Sequence, residues 1–185
     1  MEWINQFDVF FANSANSLLK SAESFFTPVF KGITIAGNYG IVFIVIAVIL
    51  LIFKKTRKAG ILALLAMSFG FIFTNLILKN VIARPRPFFD QNSIYYDYWV
   101  QAGSLSEKGY SFPSGHATSA AAFAMGLFLA FNKKWSWSFL LIPFLMGYTR
   151  IYFFVHYASD IVGGLSVGFS CGALSFLILW LLDKY

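Results

Sequence analysis

Charged residues are scarce in this sequence of 185 residues. They make up 12% of the chain, whereas hydrophobic residues make up 58%. An average soluble domain has about 25% charged residues and about 45–50% apolar ones. Too few polar side chains remain to cover the surface of a water-soluble domain of this length, so the composition favours a protein embedded in a lipid bilayer.

Cysteine is represented by Cys171 alone, which excludes an intrachain disulfide and a cysteine-based metal site. A basic start followed by an apolar stretch is also lacking, because Glu2 and Asp8 stand there, and we therefore expect no cleavable signal peptide. The net charge is +6, but the cations cluster in short loops between apolar segments. That distribution is typical of membrane topology, so we expect no nucleic-acid partner.

Three long segments contain no Asp, Glu, Lys or Arg: residues 32–53, 59–78 and 161–182. Each is long enough to cross the hydrocarbon core, which takes about 20 apolar residues. With two further apolar segments they predict an all-α, polytopic membrane bundle of five transmembrane helices. We expect these spans to begin near residues 37, 59, 114, 135 and 160. A soluble helical bundle would need polar faces at helical spacing, which these runs lack.

Residues 1–31 interleave aromatic and polar side chains. This pattern predicts one or two amphipathic helices that lie in the membrane interface, with a sixth span as the alternative. We therefore interpret residues 1–185 as a single membrane domain. It consists of interfacial helices over 1–31 and a transmembrane bundle over 32–182, which includes an outer-face loop at 79–113.

Basic residues occupy the loops at 54–58 and 133–134, and the positive-inside rule places both loops in the cytoplasm. The chain is then a multi-pass protein of the cell membrane. Seven polar residues come together at its outer face: Lys79, Arg86, Ser114, His116, Arg150, His156 and Asp160. Because this topology is derived without these residues, their convergence independently supports a functional site there.

The first polar cluster follows the second predicted span. Lys79 supplies a mobile point charge, and Arg86 supplies a planar fork that binds two oxygens of a phosphate. Pro85 and Pro87 end the helix and stiffen its exit. A basic anchor for lipid headgroups is the alternative interpretation.

The second cluster is Pro113-Ser114-Gly115-His116. Ser114 is a predicted helix N-cap, and the first turn of a helix offers free N–H groups to an anion. Gly115 allows a phosphate oxygen to approach closely. His116 is placed to protonate a leaving oxygen, although a histidine at a helix start is more often structural.

The third cluster contains Arg150, His156 and Asp160. On a continuous helix His156 and Asp160 would share a face. The carboxylate would fix one ring nitrogen and leave the other as a nucleophile, with Arg150 flanking the phosphate. A polar network that joins two helices is the alternative. The clusters offer no other acidic residue to hold magnesium, so we expect catalysis without a metal or other cofactor.

Together the clusters resemble the signature of the type 2 phosphatidic acid phosphatase family, which reads K-x6-RP, PSGH and SR-x5-H-x3-D. The order and spacings match across residues 79–160, with one departure, because Thr149 stands where the family usually has Ser. The resemblance implies a phosphohistidine on His156, oriented by Asp160, with His116 as the general acid. It implies that five residues hold the phosphoryl oxygens: Lys79, Arg86, Ser114, Gly115 and Arg150.

The resemblance also implies the substrate class, a phosphate monoester or diphosphate of a membrane lipid. Undecaprenyl diphosphate and glycerophospholipid phosphates such as phosphatidylglycerol phosphate are the candidates. Three alternatives stay open: a lipid phosphotransferase with the same site, a vanadate-dependent haloperoxidase, and a non-catalytic lipid-binding or transport protein. The sequence does not indicate an oligomeric state.

Overall fold

A computed structural model describes residues 2–131 and 134–183, so Lys133 of the second basic loop lies outside the described residues. Every regular element within these ranges is helical, which confirms the predicted all-α class. The α-helices are α1 (Glu2–Ala36), α2 (Ile41–Ile52), α3 (Arg57–Phe71), α4 (Lys79–Ile82), α5 (Ile94–Gln101), α6 (Gly115–Phe131), α7 (Leu141–Tyr152) and α8 (Ala158–Leu182). Short 3₁₀ segments lie at Asn38–Gly40, Pro87–Phe89 and Lys134–Leu140, and a π-helical stretch lies at Ile72–Leu78.

Two helices in the described part of the chain are long and apolar enough to cross a membrane. One is Arg57–Ile82, in which α3, the π-helical stretch and α4 are continuous, and the other is α8. A third would be the pair Glu2–Ala36 and Asn38–Ile52, which is bent by 47°. The helix α6 is apolar but shorter. The number of five spans therefore stays a prediction.

The N-terminal helix is longer than predicted and is packed into the bundle. It continues past residue 31 to Ala36, and a kink at Ala22, where the backbone angles are not helical, divides it into two segments. The Phe30 ring contacts the Tyr152 ring of α7, with centroids 4.9 Å apart. The buried residues of α1 are Asp8, Ala12, Ala15, Asn16, Leu19, Phe30 and Thr34. The location of α1 in the membrane interface stays a prediction, but one face of this helix is buried in the core of the bundle.

Helices α6 and α8 approach closely because α8 carries glycines every four residues. A Cβ atom on Gly164 would lie 2.6 Å from the Ser114 carbonyl oxygen, and one on Gly168 would lie 2.5 Å from the Thr118 carbonyl oxygen. Small residues at this spacing let helix backbones touch. At the end of this contact the Ser114 N–H donates to the Asp160 carbonyl at 3.0 Å, which joins the second and third clusters.

His156 and Asp160 do not lie on one continuous helix, which was the condition under which they would share a helix face. The helix α7 ends at Tyr152 and α8 begins at Ala158, with Phe154 in the left-handed region at φ +52°. Phe153, Phe154 and Val155 are all at most 2% exposed. Three consecutive residues on a helix would point in different directions, so the turn buries side chains that one helix face could not.

Candidate active site

The first cluster leaves its helix through a sharp turn. Ala83 is left-handed at φ +48°, and its N–H donates to the Lys79 carbonyl at 3.0 Å. A proline follows at 85, and a residue that precedes proline is extended. Residues two apart on an extended segment share a face. Arg84 and Arg86 therefore reach the same part of the bundle, where they contact Asp160 and His156 respectively.

His156 lies in the turn between α7 and α8 and is 3% exposed. Its Nδ1 is 3.4 Å from Asp160 Oδ2, and its Nε2 is 3.3 Å from Arg86 Nη1. A guanidinium has only donors, so Nε2 is the acceptor and the ring proton is on Nδ1, facing the carboxylate. Burial and the charges of Arg86 and Arg150 lower the pKa of His156 well below its ordinary value. The imidazole is therefore neutral, with the lone pair of Nε2 directed at Arg86.

Asp160 is held by its own helix and by a neighbouring arginine. Its Oδ2 accepts from the Tyr157 N–H at 2.9 Å, and its Oδ1 accepts from Arg84 Nη1 at 2.7 Å. The side chain is fully buried. Although no continuous helix joins them, the structure brings Asp160 and His156 together as predicted, because the carboxylate caps the first turn of α8 beside the ring.

Two buried donors next to His156 have no protein partner within the described residues. They are the Nε of Arg150 and the hydroxyl of Ser114, both on residues that are 0% exposed. The Arg150 Nη1 group donates to Thr34 Oγ1, and Nη2 donates to Glu107 Oε1. Because buried donors are normally satisfied, these two groups are available to a hydrogen-bond acceptor that is not part of the protein.

Arg86 divides its donors between structure and site. Its Nε donates to the Gly109 carbonyl at 3.0 Å, Nη1 to the Val155 carbonyl at 2.9 Å and Nη2 to the Lys108 carbonyl at 2.8 Å. A guanidinium has five N–H donors. The second N–H of Nη1 is next to His156 Nε2, and that of Nη2 is next to Glu107 Oε2, so a phosphate beside His156 would replace these two contacts.

Glu107 was not predicted to lie in the site, yet its carboxylate touches both arginines. Oε1 accepts from Arg150, and Oε2 is 3.6 Å from Arg86 Nη2. The side chain is 22% exposed and lines the cavity beside His156. Glu107 thus adds an acidic residue to the site, although the described residues contain no group of three or more His, Cys, Asp and Glu that could hold a metal ion. Nothing local in the loop sequence distinguishes Glu107 from the other acidic residues of 79–113.

His116 is on the first turn of α6 and lines the same cavity as His156. Its Nε2 is 3.0 Å from Asn38 Oδ1, in the bend between α1 and α2. Asn38 was also not predicted. The one signal for it is the polar break Gly37-Asn38-Tyr39-Gly40 inside an otherwise apolar run.

The remaining predicted residues lie around the same space. Lys79 and Gly115 line the cavity. The π-helical stretch before Lys79 is anchored to α6 by the hydroxyls of Thr74 and Thr118, 3.0 Å apart. Thr149 is the one departure from the family pattern. Its hydroxyl donates to the Met146 carbonyl of the same helix at 2.7 Å.

The cavity has a volume of about 950 Å³ and two contrasting ends. The polar end contains Lys79, Arg86, Gly115, His116, Arg150 and His156. The other wall is largely apolar and includes Ile44, Leu64, Met67, Phe71 and Ile72. Three of these, Ile44, Phe71 and Ile72, are also exposed on the outer surface of α2 and the Arg57–Ile82 helix. The cavity therefore extends from the histidines to the apolar exterior.

Comparison with known protein families matches residues 59–184 to the family described as the PAP2 superfamily. An undecaprenyl-diphosphatase of Sulfolobus acidocaldarius is 34% identical over 128 residues, which are 69% of this chain and 58% of that protein. The chain spans only 51–65% of the length of the first three curated relatives that it matches.

Two solved structures share the fold. The crystal structure of Aquifex aeolicus LpxE has a TM-score of 0.71 and 24% identity, covering 88% of this chain and 92% of that one. The transmembrane PAP2-type phosphatidylglycerolphosphate phosphatase of Bacillus subtilis has a TM-score of 0.60 and 27% identity, covering 98% of this chain and 94% of that one. The long apolar helices and these relatives identify a membrane protein. Since the family match extends over more than half of the chain and includes all three polar clusters, the chain belongs to the PAP2 superfamily.

Proposed function

We propose that this protein is a phosphatase that hydrolyses a phosphate monoester or diphosphate of a membrane lipid through a phosphohistidine on His156. One observation carries the proposal. His156 Nε2 lies beside Arg86 in a cavity that Arg150 also lines, Asp160 contacts Nδ1, and the Nε of Arg150 and the hydroxyl of Ser114 have no partner within the described residues. A nucleophile next to preorganised positive charge is what phosphoryl transfer requires.

The reaction follows from these positions. His156 Nε2 attacks phosphorus, an N–P bond forms, and the bond from phosphorus to the lipid oxygen breaks. The negative charge of the bound phosphate favours the protonated form of His116, and His116 donates its proton to that oxygen, so a monoester releases an alcohol and a diphosphate releases a lipid monophosphate. Water then attacks phosphorus, the N–P bond breaks, and His116 takes the proton of the water as inorganic phosphate leaves.

A lipid substrate fits the shape of the cavity. The apolar wall formed by residues such as Leu64, Met67 and Phe71 leads from the polar end to the exposed apolar surface. A hydrocarbon chain there would stay in apolar surroundings while its phosphate reaches His156. The relatives named as undecaprenyl-diphosphatase and phosphatidylglycerophosphatase B support this substrate class.

The helix Arg57–Ile82 supports a site on the outer face of the membrane. Its 26 residues span about 39 Å at about 1.5 Å per residue. The basic loop at 54–58 stands at one end, and Lys79 lies near the other. Because basic loops remain in the cytoplasm, we propose that the cavity opens outside. A cysteine placed at Ser106 should react in intact cells with a membrane-impermeant maleimide, whereas reaction only after lysis would contradict this topology.

Both Glu107 oxygens face arginines, and we propose that no metal ion takes part. Phosphate release should therefore be unchanged after dialysis against EDTA. Loss of activity that added Mg²⁺ restores would contradict a purely cationic site.

Glu107→Gln is expected to lower KM by about tenfold and to tighten inhibition by inorganic phosphate similarly. The carboxylate occupies donors that the substrate phosphate needs, and a hydrogen bond to a charged group contributes about 1.5–3 kcal/mol. Glutamine keeps the shape of the side chain but has no charge, so it competes less with the substrate phosphate for the arginine donors. The measurement is KM and the phosphate Ki for both proteins, with the exposed Glu23→Gln as the charge-matched control. An unchanged or higher KM would show that Glu107 does not compete with substrate.

The proposed function is tested by phosphate release in detergent from undecaprenyl diphosphate, phosphatidylglycerol phosphate, phosphatidic acid and a soluble phosphate ester. We expect release from at least one lipid and far slower release from the soluble ester, with no release by His156→Ala. Transfer of phosphate to a second lipid without inorganic phosphate would identify a phosphotransferase. Undiminished release by His156→Ala would contradict the proposed mechanism.

A further inference from the structure

An acidic residue of the N-terminal helix, Asp8, lies buried behind His156 and Asp160. Its side chain is 1% exposed. Oδ2 accepts from Arg84 Nη2 and from the Ser159 hydroxyl, both at 2.8 Å, and Oδ1 accepts from the Ser159 N–H at 2.7 Å. A buried carboxylate is unfavourable unless it is paired and hydrogen-bonded, and these contacts satisfy it completely.

Arg84 connects Asp8 to the active site. One terminal nitrogen, Nη2, contacts Asp8, and the other, Nη1, donates to Asp160 Oδ1 and to the Ser159 hydroxyl, each at 2.7 Å. The guanidinium carbon also lies 3.8 Å from the centre of the Tyr157 ring. The planar guanidinium is thus fixed in one orientation between two carboxylates, one of which holds His156.

The charges of this group have a consequence for catalysis. Arg84 contributes +1, and the two carboxylates contribute −1 each, so the group of three carries −1 beside the imidazole. Without Asp8 the arginine would neutralise Asp160 alone, and the net charge next to the ring would be zero. Attack on phosphorus leaves positive charge on the ring of His156, and nearby negative charge stabilises it.

We propose that Asp8 is a positioning residue for the reaction: it shares the charge of Arg84 and fixes it, so that Asp160 keeps both its orientation and its effective negative charge toward His156. The inference rests on the proposed roles of His156 and Asp160. Asp8 lies outside residues 59–184, which carry the family match, so it extends the site to a helix that the family pattern does not include.

A purely structural role makes a different prediction. If the Asp8–Arg84 contact only fastened α1 to the bundle, its loss would lower stability and affect substrate binding and turnover alike. A positioning role lowers kcat and leaves KM unchanged, because Asp8 does not line the cavity. The effect of Asp8 on kcat also requires Asp160, because Asp8 acts on His156 only through Arg84 and Asp160.

The experiment is a double-mutant cycle with the full chain in detergent. Asp8→Asn keeps the shape and removes the charge, and we expect kcat to fall about tenfold, at the lower end of the effects seen when a hydrogen bond that orients a functional histidine is lost. In the Asp160→Asn background the same change should cost little. Glu23→Gln, an exposed acidic residue on the same helix, is the control, and its kcat should equal that of the unaltered protein.

An equal loss of kcat in both backgrounds, or a wild-type kcat for folded Asp8→Asn, would overturn the inference. If Asp8→Asn does not fold, Arg84→Lys decides, because a single ammonium cannot bridge both carboxylates in the plane of a guanidinium. It should show the same loss of kcat at constant KM, and wild-type kcat would overturn the inference. His156→Ala in the same assay separates the two proposals. An active His156→Ala variant would refute the proposed function. An inactive His156→Ala variant together with wild-type kcat for Asp8→Asn would refute only the role of Asp8.

Discussion

His156→Ala should lower kcat by on the order of 10⁴- to 10⁶-fold, the loss that follows removal of the nucleophile from a covalent catalyst. The ring provides the atom that bonds phosphorus, so no neighbour replaces it. His156 is 3% exposed and is packed between Asp160 and Arg86. Alanine leaves the cationic cradle in place, and substrate should still bind with a similar affinity.

The measurement is phosphate release from the preferred lipid, together with binding of a non-hydrolysed phosphonate analogue. Elution volume and helical content in detergent show whether the variant is folded. A folded variant that keeps more than a trace of turnover would mean that water attacks the lipid phosphate directly and that His156 only binds it.

His116→Gln is expected to lower kcat by about 10²- to 10⁴-fold on a lipid monophosphate, the usual contribution of a general acid or base. An alcohol is a poor leaving group and needs the proton that His116 supplies. His116 lines the same cavity as His156, with Nε2 3.0 Å from Asn38 Oδ1, and glutamine keeps a polar group there without exchanging protons.

The leaving group separates this role from simple binding. The phenolate of an aryl phosphate leaves without protonation. Transfer of its phosphate to His156 should therefore be nearly unimpaired in His116→Gln. Hydrolysis of the phosphoenzyme, in which His116 activates water, should remain slow. The expected result is a burst of phenol equal to the enzyme concentration, followed by a slow phase. An equal loss on both substrates without a burst would show that His116 is not the proton donor.

The family and the main site residues were predictable from the sequence because they depend on short-range features. Lys79, Ser114 and His156 stand at or next to helix ends, which come together at one end of the bundle. The spacing of the motifs within 79–160 then identifies the family. Composition alone indicates an all-α membrane protein.

The contacts that depend on tertiary packing were not predictable. The turn between Tyr152 and Ala158 buries Phe153 to Val155, and helical periodicity does not reveal this burial. Asp8 resembles any polar residue of an amphipathic helix, and its burial depends on where α1 packs. Glu107 stands in a loop without a repeating pattern, and only the fold places it on Arg150.

The most direct test of the account is the identity of the phosphorylated residue. Enzyme mixed with lipid substrate labelled at the reacting phosphate is quenched in alkali, which preserves phosphohistidine, and then digested and analysed by mass spectrometry. We predict phosphate on Nε2 of His156, absent for His156→Ala and lost in acid. Phosphate on a serine such as Ser114, or active enzyme that never becomes labelled, would contradict it.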